Sequence, residues 1–393
     1  MTTGESYIDV DFAQSPKHGQ FVAGDVFVCR KIKEEGRVIA VLSDGLGSGV
    51  KASVLATLTA TMAMKYTQAF EDIRKSAATI METLPVCEVR KISYSTFTIL
   101  DLDEDGTCRF IEHGNPPLLW LRGSKAVSFA RETFTLDAWK DREIAFGQVK
   151  LEIEDRLVCF SDGVTQSGLG KPSYPLGWGL DGVTTHVCNE LSRDAQLSSR
   201  QLAQRLVDEA RQHDGNKVKD DITAAVAYFR HPRRLLILTG PPFGRERDKT
   251  LADLAANFPG RKAIAGGTTA SIISRELHRP VDMNLTDLHP DMPPTSTMEG
   301  IDLVTEGTLT LAKVAELLDR GETHPAGRLN AAQAMVRLML ESDIVEFVVG
   351  TRINEAHQDP NVPVELDLRR NIVRRVIGLL ETKCLKETSV RYL

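Results

Sequence analysis

The chain has 393 residues, enough for two domains, and its 42% hydrophobic and 26% charged residues are typical of a globular protein. A net charge of −6 without a strongly basic block argues against nucleic acid as the main partner. The sequence has no apolar run near the roughly 18 residues of a membrane helix, no pattern typical of a secretory signal, and six scattered cysteines without a CxxC pair. These features predict a soluble cytoplasmic protein with no membrane partner.

A hairpin is predicted near the start of the chain. Strands at Phe21–Ile32 and Arg37–Ser43 are joined by a short turn that ends in glycine. Folding this hairpin puts Asp25 opposite Asp44 or Gly45, and directly paired residues have Cα atoms about 4.5–5.5 Å apart. Two carboxylates at that distance repel each other, and a cation bound between them would offset the repulsion. The hairpin therefore predicts a metal site, with a strand-to-helix turn and a capping Asp as the simpler alternative.

The elements that follow in residues 50–230 are mostly strands. The segment Val50–Tyr66 has apolar residues at helical spacing among small ones, which predicts a helix packed closely on a sheet, and a helical pattern continues at Phe70–Leu84. The other predicted elements are, in order, strands at Ser93–Asp101, Thr107–Glu112, Leu118–Leu121, Ala126–Ala130 and Leu151–Phe160, a helix at Leu197–Gln212 and a strand at Ala224–Phe229. Because strands outnumber helices and come as hairpins, the pattern indicates an α+β fold with antiparallel sheets.

One acidic segment has a misleading pattern. Asp101–Gly106, followed by Glu112, matches the calcium loop of an EF-hand. That loop requires a helix on each side, whereas both flanking segments here are predicted strands. The acidic turn of a β-hairpin is therefore the better interpretation.

Two further acids lie where predicted strands end or begin. Asp162 belongs to a Ser-Asp-Gly sequence at the end of a strand, as Asp44 does, and Asp220 precedes the strand near Ala224. Turn chemistry explains each of these residues individually. Together with Asp25 they make four carboxylates at strand ends in one antiparallel domain. Such a set suits two hard cations and coordinated water, which is the arrangement that phosphoryl hydrolysis needs.

The pattern changes after a His-Pro-Arg-Arg sequence that begins at His231 and marks a domain boundary. Strands now alternate with helices, which predicts an α/β domain with a mostly parallel sheet over residues 235–393. Its predicted elements are strands at Leu235–Thr239, Lys262–Ala265, Ile301–Thr305 and Ile344–Val349, and helices at Leu309–Asp319 and Leu368–Leu385. The turn Gly266–Thr269 either binds a small anion at a helix N-terminus or is a glycine turn with a Thr cap. We expect this domain to have a regulatory or ligand-binding role.

Four short motifs occur in one order at domain spacing: Gly24–Phe27 (GDVF), Ser43–Gly49 (SDGLGSG), Ser161–Gly168 (SDGVTQSG) and Asp220–Thr223 (DDIT). In this order they resemble the metal-dependent protein phosphatases of type 2C, in the bacterial branch of stage II sporulation protein E. The resemblance covers about residues 20–230, and it indicates a phosphatase domain over residues 1–230.

This resemblance implies an antiparallel β-sandwich flanked by helices, with two manganese or magnesium ions. It implies hydrolysis of phosphoserine or phosphothreonine in a phosphoprotein by attack of a metal-bound water, without a covalent intermediate. By matching of the motifs, Asp25 and Asp44 contact metal, with Asp44 bridging the two ions. Gly45 gives its carbonyl oxygen, and Asp162 and Asp220 hold the other side. These four acids are then the catalytic residues.

The sequence departs from the family pattern in one place. The bacterial branch often has a Gly-His-x-Pro-Pro sequence, whereas here His113 precedes Gly114 in a segment that we expect to shape a turn between strands. No obvious cationic clamp for phosphate precedes the first acid. Lys17 and His18 are candidates, with solvated loop residues as the alternative. Asp221 is expected to lie behind the metal ligands rather than among them.

Two other functions are compatible with the sequence. One is a regulatory pseudophosphatase without activity, which the presence of all four carboxylates disfavours. In the other, the α/β domain is itself an enzyme that acts on a small phosphorylated molecule. A homodimer is a further hypothesis, for which the sequence provides no test.

Overall fold

A computed structural model of the protein describes residues 6–69, 75, 78–80, 83, 95–135, 143–283, 292–321, 329–352 and 364–393. Contacts divide the chain into two units, Met1–His231 and Pro232–Leu393. The helix predicted at Phe70–Leu84 lies mostly outside the described residues, and so does Cys87. Among the residues that are described, no helix combines the length and the apolar character needed to cross a membrane.

The first unit contains two antiparallel sheets. Its strands are β1 (Tyr7–Ser15), β2 (Val26–Ile32), β3 (Arg37–Gly45), β4 (Ser95–Asp103), β5 (Thr107–His113), β6 (Leu119–Arg122), β7 (Lys125–Val127), β8 (Glu132–Thr135), β9 (Glu143–Lys150), β10 (Asp155–Phe160) and β11 (Ile222–Arg230). One sheet has the strand order β2-β3-β4-β5-β9-β8, and the other has the order β1-β11-β10-β6-β7. Every strand pair in these two sheets is antiparallel.

The two sheets pack face to face, and helices cover their outer faces. The helices are α1 (Val50–Ala69), α2 (Asp162–Thr165), α3 (Gly179–Arg193) and α4 (Ser199–His213). Along β3, Leu42 belongs to the core between the sheets, whereas Val41 packs on the side of α1. Along β11, Ala225 belongs to that same core, whereas Val226 packs on the side of α3 and α4. The predicted antiparallel sandwich flanked by helices is confirmed.

The N-terminal segment contains a strand that the sequence did not predict. β1 pairs with β11, beginning with Tyr7 opposite Arg230, so its partner is the last strand of the unit in sequence. The predicted strand Phe21–Ile32 is wrong at its start, because β2 begins at Val26 and the side chain of Phe21 is fully exposed. β4 and β5 do form a hairpin, which confirms the hairpin turn in place of the EF-hand pattern.

Helix α1 packs its small residues against the sheet. Ala52 and Ala56 are buried, whereas Val50 and Val54 are 68% and 62% exposed. The helix predicted at Val50–Tyr66 is therefore confirmed, but the larger apolar residues that predicted it do not form its buried face. Small side chains let the helix backbone approach β3 closely, and that approach decides which face is buried.

The second unit contains one mixed sheet with helices on both faces. Its strands are β12 (Arg234–Thr239), β13 (Arg261–Ala265), β14 (Asp282–Met283), β15 (Ser296–Met298), β16 (Ile301–Thr305), β17 (Ile344–Val349) and β18 (Glu387–Tyr392). Its helices are α5 (Asp248–Asn257), α6 (Gly267–Leu277), α7 (Thr308–Arg320), α8 (Ala331–Leu340) and α9 (Val364–Cys384). The strand order is β14-β15-β16-β13-β12-β17-β18.

Most of this sheet is parallel, as predicted. β12, β13, β16, β17 and β18 run in one direction, and β14 and β15 add antiparallel pairs at one edge. Ile237 packs on the face that α7, α8 and α9 cover, and Leu238 packs on the face that α5 and α6 cover. Burial on both faces explains why β12 is a continuous apolar run in the sequence.

Candidate metal centre

The hairpin of β2 and β3 has the predicted register. Val26 pairs with Ser43, so the next step beyond the ladder puts Asp25 opposite Asp44. Gly45 then ends β3 where α1 comes closest: a Cβ added to it would lie 2.4 Å from the carbonyl oxygen of an α1 residue. Strand and helix therefore meet backbone to backbone at this point, and a larger residue does not fit there.

Asp25 is oriented by residues of the other sheet. Thr223 Oγ1, in β11, donates a hydrogen bond to Asp25 Oδ2 at 2.7 Å. Gln14 Nε2, in β1, donates to the carbonyl oxygen of Asp25 at 2.9 Å and lies at the same distance from Thr223 Oγ1. The strand that sequence reasoning missed, β1, thus helps to hold the first acid of the site.

Asp162 and Asp220 flank two strands of the sheet that contains β10 and β11, and they lie at the same end of those strands. Asp162 is the first residue of α2, directly after β10, and Gln166 Nε2 donates to its Oδ2 at 2.8 Å. Asp220 precedes β11, and its Oδ1 accepts a hydrogen bond from the N–H of the next residue at 3.0 Å. Because β10 and β11 are antiparallel neighbours, the end of one and the start of the other are adjacent.

Asp221 ties two segments of the site together. Its carboxylate accepts hydrogen bonds from the backbone N–H groups of Lys17 at 2.9 Å and Gly24 at 2.8 Å. The side chain is only 3% exposed. These contacts agree with the expectation that Asp221 lies behind the other acids, and they show what it does there: it fixes the segment that leads into Asp25.

Asp214 is a second tether, which the sequence did not indicate. It follows α4, and its carboxylate accepts hydrogen bonds from the N–H groups of Gly168 at 2.8 Å and Lys219 at 2.9 Å. Gly168 belongs to the loop after Asp162, and Lys219 directly precedes Asp220. One buried carboxylate therefore holds both acid-bearing segments of the second sheet.

His213 packs beneath the loop after α2. Its ring lies 4.6 Å from that of Trp178 between centroids, with Nδ1 3.3 Å from Ser167 Oγ and Nε2 3.0 Å from Tyr174 Oη. Burial lowers the pKa of His213, which favours its neutral form. These contacts support the loop that carries Asp162 without placing the histidine among the four acids.

The four predicted acids share one electrostatic environment. Burial raises the pKa of Asp44, and the charges of Asp25, Asp162 and Asp220 raise it further. Burial also raises the pKa of Asp25 and of Asp220. The structure thus brings together acids from four separated segments. Nevertheless, no three His, Cys, Asp or Glu side chains of the described residues surround one point as the ligands of an ion.

The two candidates for a phosphate clamp differ in their surroundings. The positive charge of Lys17 lowers the pKa of Asp220, which places this lysine within electrostatic reach of the acids. The side chain of His18 is exposed. Lys17 is therefore the better candidate of the two, held at its backbone by the carboxylate of Asp221.

The segment with exchanged His and Gly forms a turn, as expected. Gly114 has a φ of 74°, and Glu112 Oε1 accepts a hydrogen bond from the N–H of Leu118 at 2.6 Å. Arg131 Nε donates to the other carboxylate oxygen of Glu112 at 2.9 Å. These residues connect β5 to β6, and none of these contacts involves the four acids.

A family model described as stage II sporulation protein E matches residues 34–230, just over half of the chain. The chain belongs to this family. It is the bacterial branch of the type 2C phosphatases that the four sequence motifs resemble. The match includes Asp44, Asp162 and Asp220 and begins after Asp25.

Known members of the stage II sporulation protein E family are similar to part of the chain. The protein of that name from Priestia megaterium is 22% identical over 225 residues, which are 57% of this chain and 37% of that protein. The matched region thus spans little more than a third of the relative.

Two solved structures from Bacillus subtilis are also similar. The phosphatase domain of the cell fate determinant SpoIIE is 19% identical, with a TM-score of 0.44, and the match covers 58% of this chain and 94% of that one. The same domain with a fragment of its regulatory domain is 21% identical, with a TM-score of 0.47, and the match covers 58% of this chain and 64% of that one.

Proposed function

We propose that residues 20–230 are a protein serine/threonine phosphatase that uses two manganese or magnesium ions to hydrolyse phosphoserine or phosphothreonine by direct attack of water. The observation that carries this proposal is the convergence of three acids on a fourth: Asp44 is buried, and Asp25, Asp162 and Asp220 all raise its pKa. Membership of the stage II sporulation protein E family supports phosphatase chemistry.

The chemistry of the donor set fits hard divalent cations. All four side chains are carboxylates, and Gly45 adds a backbone carbonyl at the end of β3. A buried carboxylate whose pKa is raised by neighbouring carboxylates is stabilised as an anion when a cation lies beside it. Asp25, Asp44, Asp162, Asp220 and the Gly45 carbonyl are therefore the groups that would hold the ions.

Bound divalent ions would supply Lewis acidity, which lowers the pKa of water and neutralises phosphoryl oxygens. The chain's own residues keep the acids in position. Thr223 orients the carboxylate of Asp25, and Asp221 fixes the residues before it. Lys17 adds a positive charge beside Asp220, where it favours the approach of a phosphate dianion.

Three of the described cysteines, Cys29, Cys108 and Cys159, do not support the other common phosphatase chemistry, in which a thiolate attacks phosphorus. A nucleophilic cysteine needs a lowered pKa and access to substrate. Burial raises the pKa of Cys29 and of Cys159 to about 12, and it also raises that of Cys108. These thiols stay protonated at neutral pH, which leaves the acids as the better candidates for catalysis.

Release of inorganic phosphate from a phosphoserine peptide tests the proposal. The intact chain is stripped with chelator and then titrated with manganese or magnesium. We expect negligible turnover in chelator and recovery on addition of metal. An equal rate with and without chelator would refute the two-metal mechanism. Calorimetric binding of manganese without turnover would favour the regulatory pseudophosphatase instead.

A matched pair of variants distinguishes the loss of a proposed metal ligand from the general effect of removing a negative charge. Asp162→Asn removes one proposed ligand, and Asp181→Asn makes the same chemical change at an exposed position on α3. We expect turnover to fall strongly in the first variant and to stay at the wild-type level in the second. Equal turnover in both would remove Asp162 from the proposed ligand set.

A further inference from the structure

Helices α6 and α7 begin side by side in the second unit. α6 follows β13 and α7 follows β16, and these parallel strands pair with Ala265 opposite Thr305. The N–H of Gly266 donates a hydrogen bond to the carbonyl oxygen of Thr305 at 2.8 Å. A Cβ added to Gly307 would lie 3.4 Å from Gly266 Cα. The two helix starts are therefore in contact at the carboxyl edge of the sheet, where ligands of α/β domains bind.

The N-cap residue of each helix is a glycine, which has no side chain to cap the helix. The carbonyl of Gly266 accepts a hydrogen bond from the N–H of Ala270, and that of Gly307 accepts one from Leu311. Neither N-cap residue makes a side-chain hydrogen bond to its helix. Two helix dipoles thus place their positive ends at one spot, an arrangement that favours an anion.

Two buried hydroxyl groups distinguish this spot from an ordinary pair of helix starts. Thr269 and Thr310 lie in the first turns of α6 and α7, and both side chains are 0% exposed. Among the described residues, Oγ1 of neither threonine has a hydrogen-bond partner. Burial of an unpaired hydroxyl is unfavourable, so two of them at matching positions indicate a ligand that bonds to them.

The hydroxyl of Thr269 lies beside the backbone of Gly266 at the start of α6. Its Oγ1 lies 3.2 Å from the position that a Cβ on Gly266 would take, and Gly266 has a φ of 140°. This backbone conformation excludes ordinary side chains. The absence of a side chain at Gly266 therefore lets the Thr269 hydroxyl lie close to the backbone at the helix start.

An acid of the chain already interacts with one of the helix starts. The carboxylate of Glu306, whose side chain is exposed, accepts a hydrogen bond from the N–H of Gly307 at 3.2 Å. A carboxylate at this place is a stand-in for an incoming anion, since it can turn away into solvent. A phosphate group carries several strong acceptor oxygens, and helix N-termini and hydroxyl groups both donate to such acceptors.

We propose that the starts of α6 and α7, with the hydroxyls of Thr269 and Thr310, form a phosphate-binding site. Its ligand is a phosphate dianion, either free or part of a monoester such as a sugar phosphate or a nucleotide. The site belongs entirely to the second unit, so it does not depend on the function proposed for the first.

Calorimetry on the intact chain tests the site, in chelator so that phosphate does not bind with metal in the first unit. The probes are inorganic phosphate, ribose 5-phosphate and adenosine monophosphate. Equal affinity for all three identifies free phosphate as the ligand, and tighter binding of one ester identifies a monoester. The absence of binding by all three at millimolar concentration would overturn the proposal.

The double variant Thr269→Val, Thr310→Val removes both hydroxyls and keeps their volume. We expect at least about tenfold weaker binding, with a melting temperature equal to or above that of the wild type because two unpaired buried hydroxyls are gone. Thr382→Val is the matched control, since this exposed threonine lies on α9 near the opposite edge of the sheet. Wild-type affinity in the double variant would refute the proposed role of the hydroxyls.

Two further substitutions test the approach to the site. A Cβ added to Gly267 would meet no atom within 4 Å, so a side chain is tolerated there, and Gly267→Phe puts a bulky group at the first residue of α6, where we expect it to abolish binding. Glu306→Gln removes the competing carboxylate, and we expect several-fold tighter binding of inorganic phosphate. Unchanged affinity in both variants would place the phosphate elsewhere and overturn the proposal.

Discussion

The carboxylate of Asp221 accepts a hydrogen bond from the backbone N–H of Gly24 at 2.8 Å. The two residues are 197 positions apart, and the bond joins the start of β11 to the residue before Asp25. Asp25 is opposite Asp44 at the next step beyond the β2–β3 ladder. The bond from Gly24 to Asp221 therefore positions these two acids relative to the neighbouring Asp220. A residue that is not itself a proposed ligand thus controls how the four acids meet.

Asp221→Asn should weaken metal binding without removing a ligand. An asparagine keeps one acceptor oxygen, so it can retain one of the two bonds to the N–H groups of Lys17 and Gly24 but not both. We expect the affinity for manganese to fall by about 10- to 100-fold, as is typical when a group that orients metal ligands is lost. Calorimetric titration with manganese measures this effect, with Asp181→Asn as the control. Wild-type affinity would contradict the tether.

Asp44→Asn should have opposite effects on activity and on stability. Turnover on a phosphoserine peptide at saturating manganese should fall by more than about 100-fold, because the shared ligand serves both ions. In chelator at pH 8 the variant should melt at a higher temperature than the wild type, since three neighbouring acids and burial disfavour the Asp44 carboxylate. Wild-type turnover would show that the bridging assignment is wrong.

Gly45→Ala should destabilise the first unit. The added Cβ would lie 2.4 Å from the carbonyl oxygen of Ala52 and 2.9 Å from that of Gly24, and backbone atoms cannot easily move away. We expect a loss of about 1–3 kcal/mol in the free energy of unfolding, together with a loss of turnover.

The matched control is Gly378→Ala, inside α9, where an added Cβ would meet no atom within 4 Å. Alanine there should stabilise the helix by about 0.5–1 kcal/mol. Urea unfolding of both variants measures the difference. A Gly45→Ala protein as stable as the wild type would mean that strand and helix are not in close contact at this point.

His213 should make the folded state less stable in acid. Burial lowers its pKa from the usual value near 6.5, so the folded protein binds a proton there less readily than the unfolded chain does. Below about pH 6.5 the unfolded state therefore holds more protons at this site, and the free energy of unfolding falls as the pH falls.

The variant His213→Gln isolates this contribution. Urea unfolding at several values between pH 8 and pH 5 should show that the advantage of the wild type over the variant shrinks as the pH is lowered. His186, whose pKa is also lowered by burial, is present in both proteins, but its charge lowers the pKa of His213, so the comparison includes the interaction between the two histidines. A difference that is independent of pH would mean that His213 does not titrate in this range.

Local chain geometry made part of the site predictable. The hairpin register of β2 and β3 follows from a short turn, because antiparallel pairing next to a turn leaves few alternatives. That register already put Asp25 opposite Asp44 or Gly45. The alternation of strands and helices after His231 likewise predicted a mostly parallel sheet, since it depends on neighbouring elements alone.

Pairing between distant segments was not predictable in the same way. β1 gains its partner only when β11 folds beside it, although the alternation of Ile8, Val10 and Phe12 with two aspartates is itself a strand pattern. The apolar spacing of α1 does not by itself mark its buried face, because the close approach of the helix to β3 selects alanine over valine there. In both cases the neighbour, rather than the segment, decides what is buried.

The sequence by itself determined that two domains exist, that the first carries four acids at strand ends, and that its motifs belong to a metal-dependent phosphatase family. The tertiary structure alone decided that Asp221 and Asp214 tie the acid-bearing segments together, and that Thr269 and Thr310 are buried without hydrogen-bond partners in the described part of the chain. Burial and hydrogen bonding are properties of contacts between segments distant in sequence, so no local pattern contains them.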